Sequence, residues 1–210
     1  MMRGEKMKIA LVCFDDFTDL DLFLPWDVLN RVRLVGGLDD WDVRILGTED
    51  SHVSMAGLRI PTHGRIEEAN SSDAVLFSSG KGVQKLYQNS HYLKRFQLNP
   101  EKQLIGSMCS GALLLGAMGL LTGKQATTYP TAVHQLAELG VEIVNKSFVN
   151  VGNISTAAGC LAGQELAAWL IDSLIGADMT AKVMESVQPV GKGLSLPDTV
   201  TLRSGAGGSA

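Results

Sequence analysis

The residue whose type and spacing most suggest chemistry is Cys109. It sits in Leu104-Ile-Gly-Ser-Met-Cys-Ser-Gly-Ala-Leu-Leu-Leu-Gly116. A short apolar run ends, a tight turn of small residues follows, and an apolar helix pattern starts at once. Gly106 precedes the thiol by three residues and Gly111 follows it by two, which resembles a nucleophile elbow with Cys in the nucleophile position. A helix start presents unpaired N–H groups and a partial positive charge, which favours thiolate over thiol. The competing reading is a core cysteine packing as a small hydrophobe. Cys13 ends an apolar strand pattern and Cys160 precedes an apolar helix pattern, so both read as packing. No CxxC or Cys/His ligand spacing occurs, which gives no indication of a zinc site and leaves the expected metal and cofactor set empty.

The elements that must hold Cys109 follow from composition and pattern. The chain has 210 residues, is 45% hydrophobic and 19% charged, and carries 18 basic against 22 acidic side chains. That apolar fraction supplies a core. A net charge of −4 argues against a general polyanion binder, so no nucleic-acid partner is expected. The most apolar stretch, Leu161 to Ile175, is interrupted by Gln164, Glu165, Asp172 and Ser173, so no membrane partner is expected either. Three thiols cannot all pair and are too few for a disulfide scaffold, which points to a reducing, cytoplasmic setting. No signal-peptide pattern is seen at the N-terminus. The length fits one domain over 1–188, with 189–210 as a flexible tail.

Apolar runs at Ile9–Cys13, Trp41–Leu46, Ala74–Phe77 and Gln103–Gly106 read as strands, with a short β piece at Gly57–Ile60. Helical spacing marks Asp19–Val35, with Pro25 placing the helix proper near its own position. Further helices are expected over Val83–Leu98 with a break near Asn89, then Cys109–Leu121, Thr131–Leu139, Leu161–Ile175 and Asp178–Val187. Ser147–Val151 and Asn153–Ala157 flank Gly152 as a hairpin would. The alternation predicts an α/β fold: a doubly wound, mainly parallel sheet sandwiched by helices, flavodoxin-like. Ligands in such sheets bind beyond the carboxyl ends of the strands, which points to Asp15–Asp21, Ser78–Gly82 and Ser107–Gly111.

Three segments resemble the DJ-1/PfpI superfamily, and within it the isonitrile-hydratase-like branch. They are Leu20-Asp-Leu-Phe-Leu-Pro-Trp-Asp-Val-Leu29, Met108-Cys-Ser-Gly-Ala-Leu-Leu-Leu-Gly-Ala-Met-Gly-Leu-Leu-Thr-Gly-Lys-Gln-Ala-Thr-Thr128 and Thr156-Ala-Ala-Gly-Cys-Leu-Ala-Gly163. The resemblance implies the DJ-1/PfpI type of the glutamine-amidotransferase-like sandwich, with Cys109 as nucleophile and Asp21 as the acid that hydrogen-bonds it. An acid beside a thiolate is expected to hold its proton, since two adjacent negative charges repel. It also implies an oxyanion or substrate pocket built from the N–H groups of Gly80 and Ser110, a small-molecule substrate, no cofactor, and a homodimer.

The chain departs from the family pattern at defined positions. Ser78-Ser79-Gly80 stands where Pro-Gly-Gly is common, and Thr127-Thr128-Tyr129-Pro130 carries Tyr129 in place of a His. Leu24 stands where a Gly often precedes the helix proline. Tyr129 is a poor general base but can wall off a small pocket, so a Cys-His peptidase is not expected. His52, His63, His91 and His134 read as surface or satisfied residues. The resemblance implies a cysteine-dependent enzyme hydrating an isonitrile to an N-substituted formamide. The alternatives are a non-enzymatic redox or stress protein sensing oxidants through Cys109, and a glyoxalase-like activity on small carbonyls. Relatives that regulate transcription carry an added helix-turn-helix, which this sequence does not show.

Overall fold

A computed structural model describes residues 6–194 of the chain. The expected tail, 189–210, lies outside the described residues from position 195 onward. In chain order the strands are β1 (Met7–Val12), β2 (Trp41–Gly47), β3 (Ser51–Val53), β4 (Arg59–Pro61), β5 (Gly64–Arg65), β6 (Ala74–Phe77), β7 (Leu104–Met108), β8 (Gln125–Ala126), β9 (Glu142–Ile143), β10 (Phe148–Val151) and β11 (Ile154–Ala157). The helices are α1 (Asp19–Leu34), α2 (Val83–Leu86), α3 (Ser90–Leu93), α4 (Ala112–Ala117), α5 (Val133–Glu138), α6 (Gly163–Leu174) and α7 (Ala177–Glu185).

Seven strands form one sheet in the order β10-β11-β7-β6-β1-β2-β5. Every pairing is parallel except β10 with β11, which is the hairpin turned at Gly152. The four-residue run Ala74–Phe77 is buried throughout, as a central strand covered on both faces must be. Helices α1, α6 and α7 pack together, while α4 packs with α2 and α5. This is the doubly wound, mainly parallel architecture expected from the alternation of patterns. The chain leaves β1 toward β2 on one side and returns to β6 on the other. The β1/β6 boundary is therefore a topological switch point, where the loops beyond the strand ends diverge and leave a crevice.

Three elements differ from the sequence expectation, each for a local reason. Helix α1 starts at Asp19, a full turn and a half before Pro25. Its apolar stripe of Leu22, Pro25, Val28, Leu29 and Val32 is buried, and that packing outweighs the missing proline N–H. The expected helix over 83–98 is two single turns, α2 and α3, because the Asn89 side chain accepts from the N–H groups of His91 and Tyr92 and starts a new turn. The expected helix over 109–121 opens as a 3₁₀ turn at Cys109–Gly111 and ends at Ala117, two residues before Gly119 in the left-handed region. The small pairs β3/β4 and β8/β9 are mostly too short to leave a periodic signal; only β4 overlaps an expected piece, at Gly57–Ile60.

The loops after β1 and β6 are bound to each other. The Thr18 N–H donates to the Ser79 carbonyl at 2.7 Å, and the Ser78 hydroxyl donates to the Val12 carbonyl at 2.8 Å. Gly80 sits between them at φ 142°, and a Cβ there would lie 2.1 Å from the Asp16 carbonyl oxygen. Both the backbone angle and the backbone neighbour demand glycine. Gly80→Ala is expected to cost about 1–3 kcal/mol. That corresponds to a fall in melting temperature of roughly 2–12 °C for a chain of this size. Differential scanning calorimetry would measure it, and an unchanged transition would refute the tight approach of these loops.

Candidate active site

The site is assembled from the ends of four strands. Cys109 immediately follows β7, and its backbone lies at φ 45°. A non-glycine residue in that region costs on the order of 1–3 kcal/mol, so the surroundings must hold it there. Two contacts do so. The Thr128 hydroxyl donates to the Cys109 carbonyl at 3.0 Å. Gly111 lets the turn lie against β6, since a Cβ at that position would be 2.5 Å from the Ser78 carbonyl oxygen. This is a sharp strand-to-helix turn of the kind the small residues around Cys109, Gly106-Ser-Met-Cys-Ser-Gly111, suggested.

Asp21 comes from the first turn of α1, on the same buried stripe as Leu22, Pro25 and Val28. It is only 2% exposed. The Ser79 hydroxyl donates a hydrogen bond to its Oδ2, while Oδ1 has no hydrogen-bond partner. Ser79 is thus the residue that anchors the carboxylate, a role that the family's usual glycine could not fill. The absent proline N–H at Pro25 also leaves the Asp21 carbonyl without its helical partner.

Cys160 completes the cluster, and the sequence reading of it as packing is corrected here. It opens the turn that follows β11 and lines the same pocket as Cys109. The Sγ atoms of Cys109 and Cys160 and a carboxylate oxygen of Asp21 all lie within 4.8 Å of one another. The signal that could have found it is topological. Strands β7 and β11 are parallel neighbours with Met108 opposite Ala157, so residues just past each strand end must meet. No motif within a single segment carries that information. The same three groups have the donor types of a soft-metal site, although both thiols would have to lose their protons to ligate.

The pocket in front of Cys109 has a volume of about 310 Å³. Asp21, Ser79, Gly80, Ser110 and Tyr129, all expected at the site, line it. So do Thr18 and Lys81, which fall within the expected loops Asp15–Asp21 and Ser78–Gly82, and Met55, which carried no sequence signal. Tyr129 is the exposed wall, at 46%. The histidines lie elsewhere. His52 is buried and its Nε2 accepts from the Thr48 N–H, while the His63 ring stacks on Trp26.

The electrostatics run opposite to the helix-start expectation. Burial pushes the Cys109 thiol well above its ordinary range, and the facing Asp21 side chain pushes it further. The Gly159 N–H, which points at the sulfur, only partly opposes them. Helix α4 has six residues and a 3₁₀ entry, so its dipole is small beside a facing carboxylate. Cys160 is pushed up to about 11, first by burial and then by Asp21. Both thiols that face Asp21 therefore hold their protons more tightly than a free cysteine does. Asp21→Asn removes the charge and replaces one of the two acceptor oxygens by a donor. Alkylation of Cys109 by iodoacetamide is then expected to shift to lower pH and to run about tenfold faster at pH 8. A profile that stays in place or moves to higher pH would refute the proposed coupling.

Comparison with known proteins agrees with the fold. The sequence profile described as the DJ-1/PfpI family matches residues 7–173. The chain is 31% identical over 181 residues to an isonitrile hydratase of Pseudomonas putida, covering 85% of this chain and 76% of that protein. It is 27% identical over 177 residues to protein DJ-1alpha of Drosophila melanogaster, covering 80% and 78%. A ThiJ/PfpI family protein from Pseudomonas syringae superimposes with a TM-score of 0.76 at 24% identity, covering 90% of this chain and 80% of that one. The chain belongs to the DJ-1/PfpI family.

Proposed function

We propose that this member of the DJ-1/PfpI family is a cofactor-free, cysteine-dependent enzyme that hydrates small isonitriles. The observation that carries the reading is the pairing of Cys109 with a buried Asp21 oxygen that has no other partner, both facing one small pocket. The 31% identity to the P. putida isonitrile hydratase favours this electrophile over a carbonyl. A carbonyl rearrangement would call for an additional proton acceptor, and the chain has Tyr129 where many relatives carry a His.

The proposed chemistry balances on the residues present. Cys109 transfers its proton to Asp21, and the thiolate attacks the terminal isonitrile carbon. Asp21 returns the proton to that carbon, leaving a thioimidate. Water then adds to the carbon and the nitrogen gains one of its protons. The C–S bond breaks as the carbonyl forms, Asp21 takes the remaining hydroxyl proton, and the formamide and the Cys109 thiolate are released, the proton on Asp21 restoring the thiol. The Ser79 hydroxyl holds the Asp21 carboxyl in place through these transfers. Gly80 and Ser110 present backbone to the pocket and would orient the substrate or water. As in related proteins, a homodimer is part of the proposal.

The test is formation of N-substituted formamide from an aliphatic or aromatic isonitrile. Cys109→Ala is expected to reduce turnover to background with the circular dichroism unchanged. Asp21→Asn is expected to lower kcat by about 10²–10⁴-fold even though its thiol alkylates faster. Formamide formation by Cys109→Ala at the wild-type rate would overturn the assignment.

A further inference from the structure

The hydration scheme leaves one nucleophile at the site unused. Cys160 faces the same pocket as Cys109 and touches the same carboxylate, yet no step requires it. We propose that Cys109 and Cys160 form a reversible disulfide when the site meets a peroxide, so that Cys160 is the resolving thiol of a redox switch on the nucleophile. The inference shares with the proposed function the reading of Cys109 as an accessible nucleophile and of Asp21 as the nearby proton acceptor.

Four observations carry it. The two Sγ atoms lie within 4.8 Å, and a disulfide needs about 2.05 Å, so they must close by less than about 3 Å. Rotation of one Cys about χ1 moves its Sγ by roughly that distance. Their backbones are supported by adjacent parallel strands, so the approach is built into the sheet register and needs no rearrangement. Gly159, directly before Cys160, has φ 86° with no neighbour crowding its Cα, which leaves space for the Cys160 turn to adjust. Finally, the buried Asp21 Oδ1 has no hydrogen-bond partner, while Asp21 touches both sulfurs, so a proton acceptor is already in place.

The chemistry uses hydrogen peroxide as the two-electron oxidant. The Cys109 thiolate attacks one peroxide oxygen, the O–O bond breaks, and the departing hydroxide is protonated to water. Cys109 is then a sulfenic acid. The Cys160 sulfur attacks the Cys109 sulfur while Asp21 accepts the Cys160 proton. The S–S bond forms, the S–O bond breaks, and Asp21 passes the proton to the leaving hydroxide, releasing a second water. Two thiols have given two electrons to one peroxide. A low-molecular-weight thiol reverses the step by exchange. The consequence is protective as well as regulatory. The disulfide blocks the nucleophile reversibly, whereas a sulfenic acid left alone proceeds to the sulfinic acid.

The experiment treats the reduced full-length protein with hydrogen peroxide and maps the thiols by mass spectrometry. The expected wild-type product has lost two hydrogens, contains a Cys109–Cys160 cross-linked peptide, and returns to the starting mass with dithiothreitol. Cys160→Ser and Cys160→Ala, each with an unchanged thermal transition, are expected to gain two oxygens at Cys109 at the same dose, and dithiothreitol should not remove them. The proposal is overturned if wild type gains two oxygens at Cys109 without cross-linking. It is equally overturned if the Cys160 variants resist sulfinate as well as wild type does. Iodoacetamide labelling of reduced Cys109 separates this inference from the hydration reading. Absence of labelling sinks both, labelling without formamide production sinks only hydration, and labelling without cross-linking sinks only the switch.

Discussion

A carboxylate buried against two thiols is the constraint from which the rest of the site follows. Taking an ionised carboxyl out of water is costly unless its oxygens find hydrogen bonds. Asp21 finds one from Ser79 and turns its other oxygen toward sulfur. That geometry makes the three groups electrostatically one unit. Burial and the facing Asp21 side chain together push both thiols up, so a thiolate is disfavoured unless its proton has somewhere to go. The reactivity of Cys109 is therefore a question of where one proton sits, and the short helix beyond it has little influence.

Holding that unit together takes a large share of the fold. Asp21 occupies its place because α1 packs its whole stripe, Leu22 through Val32, against the sheet. Ser79 is fixed because its carbonyl accepts from the Thr18 N–H, which ties the α1 entry to the end of β6. Cys109 keeps its left-handed backbone because Thr128 grips its carbonyl and Gly111 lets the turn sit on β6. Each device spends local strain or freedom on the position of one atom, and the parallel sheet supplies the rigidity that supports it. The site falls at the β1/β6 switch point because only there do the loops of neighbouring strands run to opposite faces and leave a pocket.

The sequence made legible what depends on pattern within one segment. The buried runs Ala74–Phe77 and Ile9–Val12, the hairpin about Gly152 and the break at Asn89 all have local causes, and each appears close to its expected place. The elbow at Cys109 was legible from small residues at fixed offsets. The entry of α1 was not, because the buried apolar stripe along the helix outweighs one proline, and that balance is tertiary. The direction of the Cys109 pKa was also hidden. A helix start can be read from sequence, but the burial and the facing carboxylate that overcome it belong to the assembled site.

Cys160 shows where such reading stops. Its segment, Gly-Cys-Leu-Ala-Gly, is what a helix packed on a sheet would carry for structural reasons alone. Its chemical meaning depends on β11 lying beside β7 in register, so that residues fifty positions apart emerge at one rim. Strand order is the property least determined by local pattern, because any of several orders buries the same apolar runs equally well. A thiol becomes a partner to another thiol only once that order is fixed. The chemistry of a parallel α/β site is thus written partly in its topology, and the sheet register supplies a pairing that no single motif contains.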